Sequence, residues 1–566
     1  MATATGMAMG MDMTSSPIRL TIILSAIVAW IGSSLALAQQ TIPGSVNQSI
    51  PGSSIQGDSG SVQANSQAAV NSANTESGAT PSRAIVITPR ILLTETWSDN
   101  VFVGLSNNGK QSGFITQLMP GVHVDANTAR LKAYFDYALI GQYYSTGNNR
   151  TQNSLNTFGT LEAVSNWLFL DFSGLIGQQA ISAFGAQSPS NANINSNITE
   201  TSTYRLSPYI RGQLSGIVEY LLRYNWSTTT SGSSTVSDIV LSEWAGQLRG
   251  STPFQNLKWS IDASQQTADY SLGRTTDAER LYAMATYTIV PQLRASVSGG
   301  QESNNYASQN TETHPTHGYG FDWSPTERTA VSAFKERRFF GNGHRYSFSH
   351  RFPLSSIRYS DTRDVSVLPN QFTSIGLGTV FDLYRQICSQ QLSSVFSDPN
   401  QLDQAANACA NAIISQSGIS PNAQVTSSFL SSRATIQRIQ QLALAIQGAS
   451  NTLTVLFNRN QSESILAATA IDNFNNSSTI RQRGVSINLS HQLNAVSSAN
   501  LMASRQKTIG LGINNLETNM ALYQATLTSK IGAKTTGSIS IRRTEFDSTA
   551  NPYTENAIVG TISVVF

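Results

Sequence analysis

Asn556-Ala-Ile-Val-Gly-Thr-Ile-Ser-Val-Val-Phe566 is the stretch on which the reading of the whole chain turns. Ile558, Ile562, Val564 and Phe566 fall on one side of an extended backbone, and Gly560 completes that side, so the apolar positions recur with a period of two. A strand with this pattern separates two different solvents. In a soluble sheet those are core and water; in a membrane barrel they are lipid and a polar interior. Recurrence of the pattern decides between them.

It recurs from Ile85 almost to the end, in stretches of about ten residues. Leu131, Ala133, Phe135, Tyr137 and Leu139 alternate with Lys132, Tyr134 and Asp136; Val218, Tyr220, Leu222, Tyr224 and Trp226 alternate with Glu219, Arg223 and Asn225. Leu257, Trp259 and Ile261 alternate with Lys258, Ser260 and Asp262. Aromatics such as Tyr143, Tyr144, Trp167 and Trp226 stand near strand ends, where interfacial girdles lie. The connections alternate as well: Ser165-Asn166 and Val290-Pro291-Gln292 are tight, whereas Gly104 to Ser112, Ile181 to Glu200, Ser227 to Ser237 and Gln461 to Ser478 are long and polar. Tight turns on one side and long loops on the other are the habit of a membrane barrel. With its aromatic last residue, the closing stretch also resembles the final strand of bacterial outer-membrane β-barrels.

Composition agrees. Only 12% of the 566 residues are charged, against about 25% in a typical soluble domain. Beyond the amino terminus no run of 18 or more apolar residues occurs, which excludes a bundle of membrane helices. A chain poor in charge yet not apolar on average fits a barrel, whose two faces cancel in any hydropathy sum. The net charge of +2 argues against nucleic acid as a partner. The expected fold is therefore all-β, a transmembrane antiparallel outer-membrane β-barrel of about 20 to 22 strands, with an α-helical insert.

Five segments are expected. Residues 1–38 form a signal peptide, with a mostly apolar Leu20 to Ile31 and a small-x-small Ala36-Leu37-Ala38 before Gln39. Residues 39–84 are Ser-, Gln-, Asn- and Gly-rich, too polar to offset chain entropy, and are read as a disordered periplasmic linker. Residues 85–364 and 449–566 are the two parts of the barrel. Residues 365–448 break the alternation: Phe381, Tyr384, Ile387 and Cys388 recur at three and four, Asp398-Pro399 caps a new start, and a longer helix is expected over Gln424 to Ile446. Two antiparallel helices leaving the Asp398 turn would bring Cys388 and Cys409 to one height. In an oxidising envelope they would then form a disulfide worth on the order of 3 kcal/mol; two unrelated thiols are the alternative. Fifteen strands can be counted before the insert and six after it. An odd total means that another strand hides near Asp364 to Ser374, or that the insert descends through the lumen as a plug rather than standing as a periplasmic module.

Function is less legible. Thr94-Glu-Thr-Trp-Ser-Asp-Asn-Val101, Gln117-Leu-Met-Pro-Gly-Val122 and Asp136-Tyr137, following a secretory signal, resemble the PEP-CTERM-system-associated outer-membrane protein family, over the chain from about Ile85 to Phe566. That family is encoded with exopolysaccharide and exosortase genes, so the resemblance implies an outer membrane engaged in polymer secretion. Its motifs are turn and strand patterns and transfer no catalytic residues. The implied partners are outer-membrane lipid, an anionic polysaccharide and periplasmic secretion components, with the carboxyl terminus in the periplasm. No GxSxG, HExxH, phosphate loop or CxxC occurs. Glu312-Thr-His314-Pro-Thr-His317 is the best chemical constellation, and two close histidines flanking a proline are more often solvated loop residues, so no catalytic residue, metal or cofactor is assigned.

The basic residues say more: seven of the 35 are lysine, leaving 28 arginines. Arg130, Lys132, Tyr134, Arg205, Tyr209, Arg211, Arg223 and Lys258 lie opposite apolar stripes and are the candidate pore-lining residues. Planar guanidinium forks suit carboxylate or phosphate, and tyrosines can stack on sugar rings. The competing reading pairs Arg223 with Glu219, Lys132 with Asp136 and Lys258 with Asp262 to stiffen the wall. A porin-like export channel for an anionic polysaccharide is the expected function; an outer-membrane hydrolase or acyltransferase, or a structural scaffold of a secretion complex, are the alternatives.

Overall fold

Every strand pairs antiparallel with its neighbour in sequence, and the last pairs with the first, so the sheet closes on itself. The computed structural model describes residues 84–104, 109–147, 149–254, 256–367, 429–465, 472–512, 515–549 and 551–566. The strands are β1 (Ile85–Ser98), β2 (Gly113–Asn127), β3 (Leu131–Tyr144), β4 (Arg150–Val164), β5 (Leu168–Ala180), β6 (Ile198–Leu214), β7 (Val218–Ser231), β8 (Ile239–Ser251), β9 (Leu257–Tyr270), β10 (Thr276–Val290) and β11 (Leu293–Asn304). They continue as β12 (Glu312–Thr326), β13 (Thr329–Arg338), β14 (Gly341–Arg351), β15 (Ser355–Ser366), β16 (Thr435–Gln447), β17 (Asn451–Ser464), β18 (Ser477–Gln492), β19 (Ser497–Gly512), β20 (Leu516–Gly532), β21 (Thr535–Ser548) and β22 (Tyr553–Val565). This is a closed antiparallel barrel of 22 strands, the architecture of outer-membrane β-barrels. Closure leaves no strand edge and satisfies every backbone group within the wall, which lipid demands.

The closing stretch does what its pattern requires. Residues Arg90 to Ser98 of β1 register against Val565 to Ala557 of β22. Ile558, Ile562 and Phe566 remain about half exposed on the outer surface, while Thr561 and Ser563 are buried on the inner one. At the seam Thr94 and Thr561 join hydroxyls at 3.2 Å and Ser98 Oγ donates to Glu555 Oε1 at 3.0 Å. The same division runs round the wall: Leu93, Leu139, Leu222, Ile261, Ile487 and Ile539 point outward, and their chain neighbours point in. Turns of two to five residues join the strands at one rim, among them 165–167, where Asn166 takes φ 56°, and 215–217, where Ser215 and Gly216 take 52° and 69°. The strand ends that flank the long connections 99–112, 181–197, 367–434 and 465–476 all lie at the other rim.

The insert departs from expectation. Its last part is not a helix: Thr435–Gln447 is β16, paired over its length with β15 and β17, and no helix occurs among the described residues. The sequence Leu442-Ala-Leu-Ala-Ile446 concealed it. Leu442, Leu444 and Ile446 face lipid, but the inward positions between them are alanines, so the polar half of the alternation is missing and good helix formers remain. Two otherwise unpaired edges in a membrane outweigh that propensity. β16 is also the uncounted strand, and it follows the insert instead of preceding it near Asp364 to Ser374. The connection 367–434 therefore leaves from and returns to the long-loop rim. The signal peptide, the linker up to residue 83, the helices around Asp398, and Cys388 and Cys409 lie outside the described residues.

Candidate functional site: a bridged mouth above an inner wall of cations and stacked rings

Strand parity fixes what faces the lumen. On β3 the inner side carries Lys132, Tyr134 and the buried Asp136; on β6 it carries Arg205, Tyr209 and Arg211; Arg223 lies on the inner side of β7 and Lys258 on that of β9. Arg130 belongs to the turn after β2, at the short-turn rim, and not to the wall. The ion pairs foreseen along single strands do not form. Arg223 reaches Asp171 at 3.0 Å, two strands away, while Glu219 stands 4.0 Å from Arg249. Asp136 takes both guanidinium arms of Arg90, at 2.5 and 2.6 Å, and lies 3.3 Å from His123. Asp262 accepts from Gln247 and Ser260. Among the described residues, Lys132, Arg205, Arg211 and Lys258 make no ion pair.

Aromatic rings lie among these cations. Phe169 stacks on Tyr209 at 5.1 Å, with Arg211 above the first ring at 4.3 Å and Arg223 above the second at 4.2 Å. Tyr134 stacks on Phe158 at 5.1 Å, and Phe158 is 53% exposed to the lumen because its β3 partner, Tyr134, points inward. Phe158 was not foreseen; only the register across β3 and β4 puts it inside.

The mouth at the long-loop rim is bridged. The 181–197 connection folds over the lumen and meets the residues just after β1, and also β3, β19 and β22. Val103 N donates to Ile194 O at 3.1 Å, and Tyr144 Oη donates to Ala192 O at 2.6 Å. Asn193 Nδ2 donates to Glu555 Oε1 at 2.8 Å, and Tyr553 Oη donates to Gln187 O. From the opposite wall come Phe429 and Leu430, just ahead of β16. Phe429 forms a bridge with Ala180 of β5, eleven strands round a ring of 22, and Leu430 N donates to Ala180 O at 3.2 Å. Asn473 ties in the third segment, accepting from Ser182 Oγ at 2.6 Å, and Arg433 grips Asp472 at 2.6 and 2.8 Å. Phe429, Phe474, Ile480 and Ala183 close over each other as a small apolar core.

A second apolar cluster, Ile239, Leu241, Ala268, Tyr270, Tyr306, Val367 and Ala434, packs the β8 to β9 side, where Tyr270 Oη donates to Val367 O at 2.6 Å. Burial pushes the pKa of the Tyr306 hydroxyl up, keeping it a neutral donor to Gln266 Oε1 at 3.2 Å. Barrels of 22 strands are wide enough to need filling. Here loops from opposite walls do some of it.

Inside the wall below this cluster, Arg338 contacts Glu302 at 2.7 Å and also Asp364, while Arg280 contacts Glu336 at 2.6 Å. The network joins β10, β11, β13 and β15, and no single strand hints at it. The histidine constellation comes apart: His314 is on the inner side of β12 and His317 on the outer side, opposite Arg337. No group of three metal-ligating side chains occurs among the described residues.

No family model matches the chain, and no curated protein matches it in sequence. Among solved structures, the FrpB iron transporter from Neisseria meningitidis aligns over 85% of this chain and 82% of its own, at 10% identity and a TM-score of 0.46. The siderophore receptor PirA from Pseudomonas aeruginosa aligns over 85% and 80%, at 8% identity and 0.41; PirA from Acinetobacter baumannii aligns over 84% and 80%, at 6% and 0.43. Identity and overlap at this level assign no ligand to the chain.

Proposed function

We propose that the barrel is a gated outer-membrane pore that passes an anionic, hydrophilic polymer, with its short turns and carboxyl terminus on the periplasmic side. The observation that carries this is the inner wall of β3 to β9, where Lys132, Arg205, Arg211 and Lys258 stand with no carboxylate at ion-pair distance, beside stacked rings. Unanswered cations in a confined aqueous lumen concentrate anions, and ring faces add contacts that sugars can use. An exopolysaccharide is the preferred cargo, on the family resemblance carried by Thr94 to Val101 and Gln117 to Val122. The bridged mouth supplies the gate.

Planar-bilayer recording tests the reading. Wild-type protein should conduct with a preference for anions, and replacing Lys132, Arg205, Arg211 and Lys258 together by glutamine should shift the reversal potential toward neutrality. An unchanged reversal potential in a conducting variant sinks the proposal. A scaffold would not conduct in any form. An enzyme built on His314 and His317 would need both on one face, and they lie on opposite faces of β12.

A further inference from the structure

Strands β16 to β19 carry cations on the face turned away from the lumen. On β17 the outward series runs Leu453, Val455, Phe457 and then Arg459; on β18 it runs Leu489, Ile487, Val485 and then Arg483 and Arg481; on β19 it runs Leu501, Ala503 and then Arg505 and Lys507. Arg459 is the ninth residue of β17 and Arg505 the ninth of β19 counted from the short-turn rim. A strand needs about 9–11 residues to cross the hydrocarbon, so the cations stand at headgroup height in the leaflet on the long-loop side.

Register makes the arrangement costly by itself. Arg459 is directly opposite Arg483, and Arg483 is directly opposite Lys507. Like charges in facing positions destabilise strand pairing, and at strand spacings of about 4.8 Å the three cations share about 10 Å of wall. The neighbouring carboxylates answer only the margins of the patch. Lys507 pairs with Glu517, and Arg438 of β16 meets Asp361 at 2.7 Å. Arg505 donates to the amide of Asn519 at 3.3 Å, and Arg481 to that of Gln461 at 3.1 Å. Arg459 and Arg483 have no partner among the described residues. Between them runs an outward groove of 810 Å³, lined by Arg459, Arg483 and Lys507 with its partner Glu517 on the loop side, and by Leu442, Phe457 and Val485, the last opposite Arg505, on the turn side.

A groove cationic at headgroup height and apolar below it has the chemistry of an anionic amphiphile. We infer that this groove is a binding site for a phosphate-bearing lipid, with phosphate held between Arg459, Arg483 and Lys507 and acyl chain laid on Leu442, Phe457 and Val485. The inference needs the barrel to span a membrane and is independent of what passes through its lumen.

Native mass spectrometry of the full chain in non-ionic detergent tests it, with diphosphorylated lipid A, the same lipid stripped of phosphate, and inorganic phosphate as probes. The diphosphorylated lipid should stay bound, and Arg459→Gln with Arg483→Gln should weaken it about tenfold or more, the scale of losing charge-assisted bonds. Arg543→Gln on β21, outside the groove, should leave binding unchanged. Heat-modifiable mobility on gels shows that each variant is folded; if the double variant fails that check, Arg483→Gln alone takes its place. Equal retention of the dephosphorylated lipid, or retention untouched by the arginine changes, overturns the site. Saturation by inorganic phosphate that displaces the lipid at equal concentration would assign the cluster to free phosphate and overturn the lipid.

Discussion

Glu555 has no exposure to water, and a carboxylate so placed must be met by donors. Ser98 Oγ, Asn193 Nδ2 and Arg542 Nη2 all reach its Oε1, at 3.0, 2.8 and 3.0 Å. One side chain thereby joins the barrel seam to the loop that covers the mouth. Glu555→Ala would leave Arg542 buried without its counter-charge, a change that costs on the order of 3 kcal/mol, and would release the loop from β22. The expected outcome is a lower urea midpoint in detergent together with a higher open-channel conductance. Glu555→Gln, which keeps an acceptor, should do less of both. Equal conductance in all three proteins would mean that the loop does not depend on this hub. Which residues face inward could be read from the sequence; which of them touch could not. Arg223 was matched to Glu219 by spacing along one strand, whereas its partner Asp171 is two strands away and set by register. His314 and His317 are a different lesson, since residues three apart on a strand cannot share a face, and the period-two rule alone separates them.

At the scale of the strand, alternation was legible wherever the inner face was polar and failed where it was not. β16 is the case: its inward Ala443 and Ala445 left a continuous apolar run that strand and helix share. The outward positions nevertheless carry the stronger constraint, because hydrocarbon accepts no charge while a water-filled lumen does. Ile539, on the lipid side of β21, and Ser347, exposed on the lumen side of β14, make the comparison direct. Ile539→Arg is expected to destabilise the barrel by about 2–4 kcal/mol and Ser347→Arg, on a water-exposed face, by no more than about 0.5 kcal/mol. Chemical unfolding in lipid vesicles measures both. Comparable losses at the two sites would contradict the assignment of faces.

The bridged mouth belongs to the molecule as a whole, since no one element makes it. Its pieces come from the 181–197 loop, from residues just ahead of β16 and from the 465–476 connection, and they meet across the lumen from walls eleven strands apart. Nothing in the sequence pointed to this, because polar loops rich in Ser, Asn and Gly look alike whether they stand in water or fold inward. Replacing 183–196 by a short Gly-Ser turn should remove the part of the cover tied to Val103, Tyr144, Tyr553 and Glu555 while leaving β5 and β6 paired, and single-channel conductance should rise severalfold. A deletion that folds yet conducts like the wild type would place the barrier elsewhere.

Closure also requires an even number of strands, because each must run against both neighbours. β15 rises to the long-loop rim, β16 descends from it and β17 rises again, so any change that removes β16 sets two rising strands side by side. Two deletions separate the connection from the wall. Removing 374–424 and joining the ends with a flexible linker spares Val367 and the Phe429–Arg433 segment as well as β16. That protein should assemble and keep the heat-modifiable gel mobility of a barrel. Removing 379–448 takes β16 with it and leaves 21 strands, among which β15 and β17 cannot meet antiparallel; lipid makes the resulting edges prohibitive. This longer deletion should fail to assemble and be degraded or aggregate. A stable, heat-modifiable barrel from the longer deletion would mean that β16 is dispensable and that the even closed count does not hold the wall together.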